Sequence, residues 1–289
     1  MRADLHLHST ASDGVYAPEE LVRRAAQAGF DTLALTDHDS VAGIARAREA
    51  AQALGVRLIC GVELSCGAQK EIHVLGYGVD PENAALLAFC ERRRAQREER
   101  AEKSVARLEA LGKPVSMGRV RELARGVVAR PHIARAMVEA GHVATVAEAF
   151  DRYLAPGKAA YVPKEDVKVG QAAALIAQAG GAAVLAHPMQ LKLGDMALEA
   201  LVSEWKAQGL AGLEVYHPSA QNNHAAYLLH LARREGLLVT GGSDFHGEAV
   251  RPSCIGEGLE RWLSMEQDVG ALLERIGAAE TTEVSGCQA

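Results

Sequence analysis

Seven short apolar runs are spaced through this chain, and every one of them carries or runs into histidine or a carboxylate. The runs are Ala3–His8, Thr32–Thr36, Arg57–Leu64, Ile72–Tyr77, Ala182–Ala186, Leu213–Tyr216 and Leu237–Thr240, each of strand length. Helical patterns lie between them, at Pro18–Ala28, Val41–Leu54, Val167–Ala179, Ala197–Gln208 and Gln221–Glu235. Pro18 suits a first helical turn, because its missing N–H would have no partner there anyway. Strand and helix in alternation over this length predict an α/β architecture with parallel strands, either a closed barrel or an open sheet. In such folds, residues at the carboxyl ends of different strands converge on one place.

The segment from about 92 to 164 breaks the alternation. It reads as helix throughout, with interruptions at Gly112-Lys113-Pro114 and Gly141, and is predicted to be a helical insertion into a domain formed by 1–91 and 165–289. Charge separates the same two parts. Between Glu91 and Arg135, 13 Lys or Arg stand against 6 Asp or Glu, a local balance of +7 in a chain whose net charge is −6. An acidic body with one basic segment predicts a cation site in the body and an anion-binding lid over it.

Composition removes several classes of protein. With 289 residues, 48% of them hydrophobic and 24% charged, the chain can bury its own core and is not a disordered polymer. No run approaches the roughly 18 apolar residues of a membrane span, and the first residues lead into a strand rather than a signal peptide. Cys60, Cys66, Cys90, Cys254 and Cys287 are odd in number and form no C-x-x-C pair, which argues against a disulfide framework and a thiolate zinc site. They are expected to be buried and reduced, in a cytoplasmic protein with no membrane contact and no obligate protein partner.

What the strand ends hold is more specific. His6 and His8 alternate on a strand and so leave from one face. Further ends read Thr36-Asp37-His38, Gly61-Val62-Glu63, Ala186-His187-Pro188, Val215-Tyr216-His217 and Gly242-Ser243-Asp244-Phe245-His246, with His73 on the fourth run. Singly, each is ordinary sequence. Together they would bury many titratable groups at one place, which is costly unless they pair or coordinate metal. Imidazole and carboxylate without thiolate suit manganese, iron or zinc. The donors are too many for one ion, so two or three are expected, and adjacent ions can share a hydroxide, a nucleophile at neutral pH.

The segments DLHLHSTASDG, LTDHDS, GVELS, His73, LAHP and GSDFH, in this order, resemble the PHP (polymerase and histidinol phosphatase) family. That resemblance implies a distorted seven-stranded β/α barrel with a trinuclear centre, manganese being the favoured ion. It implies His6, His8, Glu63 and Asp244 around a first ion, Asp13, His38 and His246 around a second, and Glu63, His73 and His187 around a third. A bridging hydroxide held among Asp13, His38, Glu63, Asp244 and His246 would be the nucleophile. The helical insertion, the stretch Ala129-Arg130-Pro131-His132-Ile133-Ala134-Arg135, the return AAYVPKE and the spelling GSDFH look most like the nucleoside 3′,5′-bisphosphate phosphatases, the branch that includes ribonuclease AM. The implied activity is removal of the 3′-phosphate from 3′-phosphoadenosine 5′-phosphate, with stepwise 5′ to 3′ trimming of short RNA.

The basic segment is consistent with a substrate bearing two phosphates. Arg97 and Arg100 are three residues apart, on one helix face, and Arg130 and His132 flank a proline at a helix start, where free N–H groups favour anions. These four are the candidate substrate-phosphate ligands. Other readings of the same motifs are a histidinol phosphate phosphatase, a dedicated PHP exonuclease, and a metal-bound structural or regulatory module without activity. His142, His224 and His230 are expected to face solvent, His217 lies at a strand end but at no family ligand position, and Asp37 is expected to orient a ligand histidine.

Overall fold

The apolar runs become seven strands: β1 (Ala3–Leu7), β2 (Thr32–Leu35), β3 (Arg57–Cys66), β4 (Ile72–Tyr77), β5 (Ala182–Leu185), β6 (Gly212–Tyr216) and β7 (Leu238–Gly241). They form one sheet in chain order, β1 to β7. The computed structural model describes residues 1–67, 71–124, 127–221, 223–248, 250 and 253–277. The chain divides into two compact units, Met1–Ala88 with Val167–Ala289, and Phe89–Asp166.

The first unit holds the sheet. β1 pairs parallel with β2, β2 with β3, β5 with β6, and β6 with β7. β4 departs from the predicted all-parallel arrangement, running antiparallel to both β3 and β5. The reason is local. Only five residues separate Cys66 from Ile72, and a parallel return needs a crossover of about a dozen residues or more. The reversal puts the start of β4 beside the end of β3, with Ser65 opposite His73. The sheet then curls until its edges nearly meet. Leu7 bridges Phe245, and the His8 N–H donates to the Phe245 carbonyl at 3.0 Å. An added Cβ on Gly242 would sit 2.1 Å from the Cβ of His6, so only glycine permits this approach.

Helices α1 (Pro18–Gln27) and α2 (Ile44–Leu54) follow β1 and β2. α1 starts on Pro18, carries Glu19 and Glu20 in its first turn, and buries Leu21, Val22 and Ala25. α3 (Ala84–Ala110), α4 (Met117–Ala124), α5 (Arg130–Glu139) and the single turn α6 (Val146–Ala149) lead to a π-turn at Phe150–Leu154. The first unit resumes with α7 (Val169–Gln178), α8 (Asp195–Ala207), α9 (His224–Glu235) and α10 (Met265–Arg275). Buried positions three or four apart recur here: Leu198, Val202 and Trp205 on α8, and Ala225, Leu228 and Leu231 on α9. No described helix is long and apolar enough to cross a membrane.

The second unit has its own core, with Leu108, Val120, Ile133, Met137 and Leu154 at its centre. Cys66 and Cys90 are buried, as expected, but Cys60 is half-buried and Cys254 is exposed; among the described residues none of them is in a disulfide, and Cys287 lies outside those residues.

Candidate metal centre

Period-two alternation on β1 turns Asp4, His6 and His8 to the inner face, all three buried. Glu63, on β3, is the hub. Its Oε2 lies 3.2 Å from His6 Nε2, 3.3 Å from His8 Nε2 and 3.0 Å from His38 Nδ1. Its Oε1 lies 3.0 Å from His73 Nδ1 and 3.1 Å from His187 Nε2. His73 reaches the hub because β4 is reversed: a residue near the start of an antiparallel strand shares an end of the sheet with the carboxyl ends of its parallel neighbours.

Among the described residues, the donor atoms of three groups lie within 4.8 Å of one another: His6, His8, Glu63 and Asp244; His8, Asp13, His38 and His246; and His38, Glu63 and His73. The first group matches the expected set. The second gains His8, and the third has His38 beside Glu63 and His73. His187 closes on that third group from its own strand end, with Nε2 3.2 Å from His73 Nδ1. Asp13 Oδ1 lies 3.3 Å from His246 Nε2, and Asp13 is the most open member, its side chain 31% exposed. All nine residues expected from the motifs are thus brought together.

The donor set suits cations. His6 Nε2, both ring nitrogens of His8, His38 Nδ1 and Glu63 Oε2 are buried without a hydrogen bond. So many orphaned polar atoms facing one another would be costly unless a shared cation satisfies them. Nitrogen and oxygen donors without thiolate match manganese, iron or zinc. The electrostatics run the same way. Burial would raise the Glu63 carboxyl, but the rings of His38, His6 and His73 hold it well below the usual carboxylate range. Asp244 and Asp13 are likewise held low, against burial, by His6 and His38 respectively and by other neighbours. Burial would lower His38, yet Glu63 and Asp13 lift it to about 8. Carboxylates kept ionised among imidazole rings make a negative pocket that suits a divalent ion, whose binding would displace protons from the rings.

Residues outside the expected set complete the surroundings. Asp37 touches no ligand ring through a hydrogen bond; contrary to expectation, it accepts from the Ser9 N–H and hydroxyl and from the Ser12 hydroxyl, holding the loop that carries Asp13. Asp4 accepts from the N–H groups of Ser243, Gly256 and His6 and from the Ser243 hydroxyl, fixing the turn before Asp244. Asp4 was legible in principle, since it shares the face of His6 and His8. Glu214 had a weaker signal, a lone acid inside an apolar strand. His224 and His230 are exposed, as expected, while His142 is half-buried and bonded to the Pro114 carbonyl.

The basic candidates gather within the second unit. Arg100 donates through Nε and a terminal nitrogen to the Val162 carbonyl, at 3.2 Å each. Burial, with Arg130, Arg97 and Arg93 nearby, pulls its guanidinium down to about 10. Arg130 lies over the rings of Tyr161 and Phe150, at 5.6 and 5.8 Å. His132 is buried and turned back, its Nδ1 accepting from the Ala129 N–H at the start of α5, so one of its nitrogens is engaged in capping.

A barrel-like α/β sheet with a candidate cation-binding set of His and carboxylate at one end is an architecture suited to a metal-dependent hydrolase. Comparison with known proteins narrows this. The family description of the PHP domain matches residues 4–160. The 5′-3′ exoribonuclease Rnm of Escherichia coli is 39% identical over 247 residues, covering 84% of each chain. The 3′,5′-nucleoside bisphosphate phosphatase of Chromobacterium violaceum is 39% identical over 254 residues, 86% of this chain and 89% of its own. Among solved structures, a predicted metal-dependent phosphoesterase from Bifidobacterium adolescentis is similar with a TM-score of 0.81 and 33% identity, over 95% of this chain and 96% of its own. The chain belongs to the PHP family of phosphoesterases.

Proposed function

We propose that this protein is a metal-dependent phosphatase that removes the 3′-phosphate of nucleoside 3′,5′-bisphosphates, such as 3′-phosphoadenosine 5′-phosphate. The observation that carries the reading is the set of orphaned, buried donors around Glu63. His6, His8, Glu63 and Asp244 would hold one manganese ion, Asp13, His38 and His246 a second, and Glu63, His73 and His187 a third, Glu63 belonging to two of the sets. Such ions supply a nucleophile at neutral pH and neutralise charge on the phosphoryl group. The chain's own part is to keep Glu63, Asp13 and Asp244 ionised and the rings aimed inward.

Substrate choice rests on the second unit and on the relatives. Arg97 and Arg130 lie close enough to Arg100 to help pull its guanidinium down, and arginine grips phosphate through paired N–H donors. A basic segment suits a substrate with two phosphates better than histidinol phosphate, whose amine needs a carboxylate. A second reading, trimming of short RNA from its 5′ end, is favoured by the exoribonuclease relative at 39% identity. The test is phosphate release with added manganese from 3′-phosphoadenosine 5′-phosphate and from histidinol phosphate, beside nucleotide release from a 5′-phosphorylated oligoribonucleotide. The bisphosphate is expected to be the best substrate, with activity lost to a chelator. Faster turnover of histidinol phosphate would overturn the assignment, and faster turnover of the oligonucleotide would make RNA the principal substrate.

A further inference from the structure

Among the described residues β6 contributes nothing to the three donor groups, yet Glu214 on it and His217 just past it bond residues of two of the proposed ion sites. Glu214, fully buried on β6, accepts the His6 Nδ1–H on Oε1 at 2.8 Å and the His187 N–H on Oε2 at 2.6 Å. Just past β6, the Ser219 N–H donates to His217 Nδ1 at 2.9 Å. That bond leaves the His217 proton on Nε2, which faces Asp244 Oδ2 at 3.4 Å, while Asp244 Oδ1 turns toward His8 Nε2 at 3.2 Å. Between them, the Tyr216 carbonyl accepts the Gly242 N–H at 2.9 Å, two residues ahead of Asp244.

Two of the residues so held have strained backbone. His187 and Asp244 have φ of 31° and 52°, in the left-handed region that non-glycine side chains seldom occupy. Such conformations persist only where surrounding bonds determine them. With its Nδ1–H given to Glu214, His6 presents Nε2 alone to the shared donor space.

We propose that β6 is the positioning strand of the centre: Glu214 fixes the ring of His6 and the strained turn at His187, and His217 fixes the carboxylate of Asp244, so that all three meet the ions in one geometry. The inference rests on the metal-centre reading. Glu214 and His217 are positioning residues, acting through the ligands and not on substrate.

The substitutions separate hydrogen bonding from packing. Glu214→Gln offers one acceptor oxygen to two N–H donors and turns an amide N–H against the other. His217→Gln keeps a donor near the place of Nε2, whereas His217→Ala removes it. The full-length chain and each variant are titrated with manganese, and the cobalt-loaded forms are compared by visible absorption, with circular dichroism as the folding control. Glu214→Gln and His217→Ala are expected to lose roughly 10- to 100-fold in manganese affinity and to alter the cobalt spectrum at saturation. His217→Gln is expected to retain both within a few-fold. If Glu214→Gln fails to fold, the His217 pair decides the matter. Unaltered affinity and spectrum in Glu214→Gln and His217→Ala, or equal losses in His217→Gln and His217→Ala, would overturn the proposal. A wild-type chain that takes up neither ion would overturn the metal-centre reading itself, an outcome distinct from variants that behave like a metal-binding wild type.

Discussion

Replacing Arg130 by alanine tests the division of labour between the two phosphates. The guanidinium lies over Tyr161 and Phe150, contacts worth about 0.5–1 kcal/mol each at such sites. Its removal also relieves Arg100, which burial and its cationic neighbours hold down to about 10. These effects oppose each other, so folding stability should change by less than about 1 kcal/mol. Catalysis should respond far more. A hydrogen bond to a charged group contributes about 1.5–3 kcal/mol, and each 1.4 kcal/mol is a factor of about ten. The expected loss in kcat/KM on 3′-phosphoadenosine 5′-phosphate is therefore roughly 10- to 150-fold. Adenosine 3′-monophosphate lacks the second phosphate and should be hydrolysed by the variant as by the wild type. The assay is phosphate release from both substrates at saturating manganese, beside a thermal melt. Equal losses on both would mean that Arg130 acts on the reacting phosphate or on folding, and no loss on either would make it a surface charge.

Three further outcomes are expected. Glu63→Ala should lose more than one ion per chain by elemental analysis, because the two carboxylate oxygens face different histidines; retention of the wild-type metal content would refute the bridging role. Gly242→Ala places a methyl 2.1 Å from the His6 Cβ and 2.5 Å from its backbone nitrogen, which should cost about 1–3 kcal/mol in denaturant unfolding and disturb metal uptake, whereas wild-type behaviour in both would mean that β1 and β7 do not approach this closely. A thiol reagent should label Cys254 in the folded protein while Cys66 and Cys90 stay protected until denaturation, with metal content unchanged; metal release on labelling Cys254 would contradict a centre built without thiolate.

The strands were legible because short apolar runs with β-branched residues have few alternatives once helices of opposite pattern separate them. The candidate ligand residues stood out for a related reason: buried histidine and carboxylate are costly without partners, and their recurrence at the strand ends points to a shared site. The direction of β4 was misread. An apolar run looks the same whichever way it travels, and the deciding fact was the short link from Cys66 to Ile72, which rules out a crossover helix. The fold turned that reversal to use by bringing His73 to Glu63. The third group shows a subtler gap: the motifs separated His38 from Glu63, while an isolated bridge past the end of β2 sets them side by side.

The sequence by itself determined which residues could bind cations and that a sheet would gather them, since those properties lie in side-chain type and in periods of two and 3.6 residues. Tertiary structure alone decided what holds them in place. Asp4, Asp37 and Glu214 each acquire their partners from a loop or strand remote in the chain: Ser243 and Gly256 for Asp4, Ser9 and Ser12 for Asp37, His6 and His187 for Glu214. The partner of a buried carboxylate is set by closure of the sheet, a property of the whole chain, and no local pattern encodes it.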